Sequence, residues 1–520
     1  MPTKRGFPLA AVACCLFLVL AACGGGASPA GSSAAADGEP VPGGTARVLT
    51  LSDARSLDPA MLFNAYASTA VLGNALYGTL LTDDPASGEV RYRMAESFTT
   101  SDNGTTFELK LRPGLVFSDG TPLDAAAVKY NWDRLKTVPG ASAADASLVG
   151  STEVIDPRTL RITLTAPIPK FAQIVVISSM NWIASPAALA AGQQAFDAHP
   201  IGAGPFTLER WTRQDAIELV KNPRYWDAPK PYLDRLTLRV ALDGGQRLNT
   251  VVSGGADVAI ESHWWNVSRA AEAGLRTNVM QLSGGVYVAL NQRRAPFNDV
   301  RARQALAYAS DLQALNLAAY NGAGQVADTL FSKQSTFYTD TPLTTPNRDT
   351  AQRLFDELAA AGKPVSFTLT VSPTADSKAL AEGIQAQLSA FRNVSVQIDV
   401  VDHARSAALR TSHDFDAIFS GVFFVDPEPR LWNAFNGQSD ANISGVNDEA
   451  LNTDLQAART ATGEAERKAL YAAVQQRLAE LVPVIFLVRA APSALAGKNV
   501  GGLVQYGNGS LLPEELWIRR

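Results

Sequence analysis

Cysteine is nearly absent from this 520-residue chain, and Cys14, Cys15 and Cys23 are its only representatives. All three sit at the extreme N-terminus, so the body has no thiols for a disulfide framework or a thiolate metal cluster. Small exported folds need such staples, but a chain this long buries enough surface without them. Histidine is scarce too. His199, His263, His403 and His413 are scattered and lack the spacing of a zinc helix, so no metal site is expected. There is no surplus of positive charge: 50 acids face 45 lysines and arginines, a net charge of −5, which leaves no electrostatic footprint for nucleic acid. Beyond residue 20, no apolar run approaches the roughly 18 residues of a spanning segment.

Catalytic signatures are also missing. The chain has no Gly-x-Ser-x-Gly elbow, no Ser-x-x-Lys and no His-Glu-x-x-His. Gly362-Lys363 and Gly497-Lys498 are followed by Pro364 and Asn499, which rules out a Walker loop. Gly322-Ala323-Gly324 opens a partial dinucleotide pattern but follows a helix, so it reads as a turn. Carboxylates are plentiful, and a glycosidase pair is not excluded by motif. An exported hydrolase therefore stands as the alternative class, but no catalytic residue and no cofactor is assigned.

The N-terminus is the most specific feature present. Lys4 and Arg5 precede an apolar stretch from Leu9 to Leu20, which is too short to span a bilayer. Leu20-Ala21-Ala22-Cys23 resembles a bacterial lipobox. That resemblance implies removal of residues 1–22 as a signal peptide and lipidation of Cys23. Loss of the leader takes two positive charges away and leaves the mature chain near −7. Residues 24–42, rich in Gly, Ala, Ser and Pro, read as a flexible tether of about 25 Å root-mean-square reach. One acyl chain anchors only marginally, whereas two or more suffice.

Period-two alternation marks strands at Thr106–Leu111 and Leu160–Leu164, with others expected at 46–51, 236–242, 366–371, 394–401, 415–424 and 483–489. Val484-Ile485-Phe486-Leu487-Val488 is continuously apolar, as in a strand buried on both faces. Apolar stripes predict helices at 125–136, 350–361, 378–391 and 464–481, and one long helix at 300–320 starting from Asn298-Asp299. Thr121 or Asp124 is expected to cap the helix at 125–136, and Gly362 to close the one at 350–361. Strands and helices interleave throughout, so the class is α/β, mixed α+β, in two or three domains.

Several stretches together are similar to the family 5 extracytoplasmic solute-binding proteins of bacterial ABC importers, the dipeptide-, oligopeptide- and nickel-binding lipoproteins. They are Ser56-Leu57-Asp58-Pro59-Ala60; Ala95-Glu96-Ser97-Phe98 with Asp102-Asn103-Gly104 and the run Leu111-Arg112-Pro113-Gly114 through Phe117-Ser118-Asp119-Gly120-Thr121-Pro122-Leu123; and Gly202-Ala203-Gly204-Pro205-Phe206 with Asn222-Pro223-Arg224-Tyr225-Trp226. Pro296-Phe297-Asn298-Asp299-Val300-Arg301 extends the similarity. The residues themselves read as turns and caps, that is, as scaffold. The resemblance implies a two-lobed periplasmic-binding-protein-like fold with an inserted third domain. Domain I would be 43–77 with 202–283 and 490–520, domain II the insertion 78–201, and domain III 284–489. Ligand would bind between domains I and III, which close about a hinge. The implied partners are an ABC permease with its ATPase subunits and a peptide-like or other organic solute, and the body is expected to be a monomer at the extracytoplasmic face. A receptor for signalling rather than transport would use the same cleft.

In peptide-binding members of this family a Trp-x-x-Asp-x-x-Asp-Pro segment supplies the acid that meets the ligand's ammonium. Here Asp426-Pro427 matches the second Asp-Pro, Phe423 falls where the first Asp belongs, and Ser420 replaces the Trp. Phe423 cannot pair an ammonium, which tilts the cleft toward an apolar or uncharged ligand. Candidate cleft residues are Asn64 and Tyr66, then His263, Trp264 and Trp265 in an expected loop, then Phe423, Phe424, Asp426, Arg430, Trp432 and Asn433. The paired tryptophans read either as a stacking surface or as packing between domains. A chelated metal as cargo remains open from the nickel-binding branch.

Overall fold

A computed structural model describes residues 38–65, 69–140 and 142–519 of the chain. The leader, Cys23, most of the tether and Tyr66 lie outside the described residues. The fold is mixed α/β, built on three larger sheets.

The first sheet has seven strands, in the order Arg276–Val279, Ser493–Ala496, Val258–Glu261, Thr45–Thr50, Arg235–Val240, Ala216–Lys221 and Phe206–Thr212. Thr45–Thr50 runs parallel to both neighbours and the other pairs are antiparallel. The second sheet orders Val394–Val400, Val365–Val371, Ala417–Phe424, Ser283–Leu290 and Val484–Val488. The third is antiparallel: Ala95–Thr100, Thr106–Leu111, Thr159–Leu164 and Val149–Asp156. Val484–Val488 is buried along its whole length. Ile485 and Leu487 enter one hydrophobic core and Val484 and Phe486 another, which is why its sequence lacks alternation.

Helices form where the apolar stripes place them, at Ala125–Leu135, Arg348–Ala360, Ala375–Leu388 and Glu464–Leu481. Asp124, not Thr121, caps the first of these, its side chain accepting from the Ala127 N–H. The single helix expected at 300–320 is two, Val300–Ala309 and Leu312–Tyr320. Ser310 is extended, and the Asp311 carboxylate accepts from the N–H groups of Gln313 and Ala314, starting a new helix. Apolar periodicity runs through this break, so only the capping preference of Asp could have revealed it.

Family-like motifs fasten segments together. Asp197 accepts from Ser56 Oγ and from the Leu57 N–H, both at 2.7 Å, while Asp58 pairs with Arg134. Gly202 and Gly204 let the chain before Phe206–Thr212 lie against the end of helix Ala70–Tyr77. A Cβ at Gly204 would stand 2.3 Å from the Ala75 carbonyl oxygen, and one at Gly202 2.2 Å from that of Leu76.

Two adjacent strands pass from one sheet to the other. Arg276–Val279 pairs with Ser493–Ala496 in the seven-stranded sheet, and Ser283–Leu290 pairs with Val484–Val488 in the five-stranded sheet. Arg489 lies in this crossover and is buried. Its Nη1 donates to Gly284 O at 3.0 Å, and its Nη2 to Thr329 O, Thr329 Oγ1 and Phe331 O at 2.9–3.0 Å. Burial among these neutral acceptors pulls its pKa down to about 10.

Behind Ala417–Phe424 lies a buried ionic cluster. Arg467 binds both carboxylate oxygens of Asp426 at 2.8 and 3.0 Å and lies over the Phe337 and Tyr471 rings. Tyr471 OH donates to Glu428 Oε1 at 3.0 Å, and Arg459 approaches Glu428 at 3.8 Å. Burial pushes the Glu428 carboxyl up to about 7, although Arg459 pulls it back.

Two consequences are measurable. Gly204→Ala should lower stability by about 2–3 kcal/mol, despite the lower chain entropy of alanine, because the clash is with backbone; an unchanged thermal midpoint would contradict the close approach. A Glu428 carboxyl held near 7 in the fold, against 4.5 ordinarily, binds its proton more tightly folded than unfolded. Its contribution is therefore intact below about pH 4.5 and is lost as pH rises through 7, by up to about 3 kcal/mol. Thermal midpoints from pH 5 to 8 should fall more steeply for the wild-type protein than for Glu428→Gln. Asp83, pushed up to about 6, slopes in the same sense in both proteins and cancels in the difference.

Candidate functional site

A cavity of about 790 Å³ opens between the body carrying the five-stranded sheet and the segments flanking the seven-stranded one. That volume suits a small organic ligand. On one side stand Phe63, Ala65 and Asn508; on the other stand Tyr287, residues 420–423, and side chains from the helices His403–Ser412 and Arg430–Phe435.

Strand alternation builds the second wall. Phe423 points into the cavity, whereas Phe424 turns to the core, 1% exposed and 5.7 Å from the Phe331 ring. Gly421 precedes Phe423 on the same face. A Cβ there would meet the Phe423 ring at 2.6 Å, so the missing side chain lets the ring fold flat against the strand. Across the gap Phe63 is 41% exposed, an apolar ring facing the cavity.

Arg410 reaches the wall from its helix. Its Nη1 donates to Ser420 Oγ at 2.6 Å, its Nη2 to Phe419 O, and its Nε to Ser406 Oγ at 3.4 Å. Burial lowers its pKa from the ordinary guanidinium value, but it stays charged. Arg430, at the start of its helix, also lines the cavity, and its Nε is buried without an acceptor. Burial, then the charge of Arg293, lowers the pKa of His413, so this cavity imidazole is neutral at pH 7. Asp440 is an exposed acid at the rim.

Of the residues expected to face ligand, Phe423, Arg430 and Asn433 line this cavity. Asn64 does not: it is 1% exposed, donates to Val176 O at 2.8 Å and accepts from Ser510 Oγ at 2.5 Å. Its role is to hold its neighbours Phe63 and Ala65 in place. Tyr66 lies outside the described residues. His263, Trp264 and Trp265 are not in a loop; His263 is the N-cap position and Trp264 the first residue of a helix, Trp264–Glu272. Trp264 Nε1 donates to Arg489 O at 2.8 Å and its ring packs on two cores, so it seals the crossover. His263 stacks near Tyr320, and Trp265 is 36% exposed outside the cavity. Asp426 is occupied by Arg467, and Trp432 faces away, donating to Gln456 and lying under Arg459. Phe63, Tyr287, Arg410, His413, Asp440 and Asn508 were not foreseen. Arg410 is one of two arginines on the helix His403–Ser412, and nothing in the spacing separates it from Arg405. Among the described residues no group of three or more His, Cys, Asp or Glu is placed to hold a metal ion, and no helix is long and apolar enough to cross a membrane.

Residues 89–442 match the bacterial extracellular solute-binding proteins, family 5 middle region. The glutathione-binding protein GsiB of Shigella boydii serotype 4 is 35% identical over 237 residues, 44% of this chain and 45% of that protein. The chain thus matches about half the length of that relative. GsiB of Salmonella typhimurium is 28% identical over 451 residues, 80% of this chain and 83% of its own. Among solved structures, AgaA from A. tumefaciens R10 in complex with agropinic acid superposes with a TM-score of 0.77 at 25% identity, covering 92% of this chain and 99% of AgaA. DppA from Helicobacter pylori in complex with the peptide STSA gives a TM-score of 0.78 over 92% and 99% of the two chains, and at 21% identity that likeness is one of fold. The match at 89–442 takes in well over half the chain, including the wall that carries Arg410, Phe423 and Arg430, and on that ground the chain belongs to the family 5 bacterial extracellular solute-binding proteins.

Proposed function

We propose that this protein captures a peptide-like or other organic solute in the cavity between its two bodies and delivers it to an ABC permease, which imports it with the help of ATPase subunits. The single observation that carries the reading is the 790 Å³ cavity with Phe63 on one body and Phe423 on the other. A ligand touching both walls favours the closed arrangement by its differential affinity, and the permease reads that arrangement. The moving units are 43–77 with 202–283 and 490–520 against 284–489, with 78–201 as the insertion. The paired strands around Arg489 supply the hinge. The glutathione-binding relatives make small peptide-like solutes the size class to test first.

The acid that would meet a ligand ammonium is missing from the binding strand. Phe423 stands in its place, and both oxygens of the next acid, Asp426, are taken by Arg467. An ordinary peptide N-terminus would therefore meet no free carboxylate at the position where the family's peptide-binding members carry one. Binding without turnover is the reading that the family match supports. The body works as a monomer at the extracytoplasmic face, moored through lipid on Cys23, with its tether spacing it from the membrane.

Native mass spectrometry of the purified protein should reveal a retained organic solute, and adding that solute to the stripped protein should reduce its radius of gyration in solution scattering. Recovery of an ordinary free-amine dipeptide would overturn the reading of Phe423, and turnover of any bound compound would overturn the receptor assignment. Cys23→Ser should release the protein from the membrane fraction; unchanged retention refutes the anchor.

A further inference from the structure

Glycine weakens the interior of a strand, because it costs more order and offers no side chain to pack. Gly421 nevertheless sits inside Ala417–Phe424, opposite Val286 of the neighbouring strand. Its backbone does not require glycine: its φ lies outside the left-handed region, unlike that of Gly284 nearby, which stands at 73°. The requirement is for space. A Cβ at Gly421 would stand 2.6 Å from Phe423 Cζ and 2.9 Å from Cε2, so the ring occupies the volume a side chain would fill. The ring is thereby laid along the cavity wall instead of projecting across the gap. The surrounding strand fixes that pose. Val422 and Phe424 are held in the core, and Arg410 ties the Phe419 carbonyl and the Ser420 hydroxyl. From the other body the exposed Phe63 ring faces the same cavity.

We infer that the solute carries a flat aromatic or conjugated group, which Phe423 receives face to face and Phe63 covers as the cleft shuts, and that Gly421 sets this preference. The inference rests on the cleft being the solute site and names the class of solute for it. A ring laid on a wall makes a level surface, and a second ring closing over it leaves a slot. A planar guest fills that slot at van der Waals distance from both walls, about 3.5–4.0 Å. A saturated ring of the same carbon count is puckered and holds the walls apart. Stacking also adds to the burial of area, each aromatic pair contributing about two- to tenfold in affinity. Asn433 and Asn508, elsewhere in the lining, offer amide donors and acceptors to the polar remainder of the solute. A ring in place of an acid at position 423 thus turns a wall that would pair a charge into one that stacks a plane.

The test uses three N-acetylated tripeptide amides that differ only at the central residue: phenylalanine, cyclohexylalanine or leucine. Each is titrated calorimetrically into protein stripped of retained solute. The phenylalanine peptide should bind at least about tenfold more tightly than the cyclohexylalanine one. Burial of apolar area alone predicts the reverse order, since the saturated ring is the more apolar. Gly421→Ala pushes only the far end of a rotatable side chain, so the ring leaves the wall while the strand stays paired. It should weaken the phenylalanine peptide about tenfold, leave the other two within about twofold, and change the ligand-free melting temperature little. Phe423→Leu should erase the same preference, which keeps the test informative however the alanine is accommodated. Cyclohexylalanine binding as tightly as phenylalanine, or a preference that survives both substitutions, overturns the inference. A solute released from the purified protein by denaturation and identified by mass decides it independently. An aromatic or conjugated solute supports the inference even where no peptide of the panel binds. A solute without such a group overturns it and leaves the capture reading standing. No retained solute together with no peptide bound overturns both.

Discussion

The whole arrangement depends on one buried guanidinium. Arg489 sits where two neighbouring strands leave one sheet and enter the other, and it gathers the carbonyls of Gly284, Thr329 and Phe331 around a single charge. Those carbonyls would otherwise be buried acceptors at an irregular point of the backbone, where sheet bonding cannot serve them. Arginine suits the task because its donors point in several directions at fixed angles, whereas an ammonium on a flexible stem would have to choose. The Arg489 carbonyl in turn takes the Trp264 indole, which packs against cores on both sides. The crossover is thus well ordered, and the strands on either side of it are free to lead two separate bodies.

The wall of the cleft is held with similar economy. On Ala417–Phe424 one phenylalanine faces the cavity and the next enters the core, so moving Phe423 would require moving Phe424. Beyond the strand the chain turns at Asp426, which is fixed by Arg467, and at Glu428, which is fixed by Tyr471. The opposite wall is fixed by Asn64, an amide with both ends occupied, so that Phe63 is presented to the cavity on a rigid support. Asn64 and Asp426 thus serve the site by fixing its walls: Asn64 reads from the sequence as a cleft residue, whereas Asp426, a candidate contact, reads more readily as the turn residue it is. Polar residues beside a cleft are more often spent on holding its backbone, because irregular segments have unmet backbone groups and strands do not.

The architecture was legible because it is written in periodicity. Alternation at Thr106–Leu111, the unbroken apolar run at Val484–Val488 and the stripe along Glu464–Leu481 each follow from which faces are covered. The break at Ser310–Asp311 was missed because the apolar stripe continues on either side of it. The loop expected at His263–Trp265 is a helix start because His263 offers an extended N-cap backbone, a property that residue type signals only weakly. The cleft was only partly legible. Phe423, Arg430 and Asn433 were reachable because they follow a motif with a fixed spacing to the wall. Phe63, Tyr287, Arg410 and Asn508 come from four distant stretches, and only the folding of the crossover brings them together.

This last point bears on how a receptor of this kind can change its ligand without changing its fold. The scaffold charges are closed accounts: Asp426 with Arg467, Asp58 with Arg134, Arg247 with Glu261. Removing one member of such a pair leaves a buried charge and is opposed by several kcal/mol. The cleft arginines Arg410 and Arg430 have no acid at salt-bridge distance among the described residues, so no such pair is broken when they change. The Phe423 ring, or an arginine at the head of Arg430–Phe435, can therefore be exchanged with less consequence for the sheets and the crossover than a member of one of those pairs.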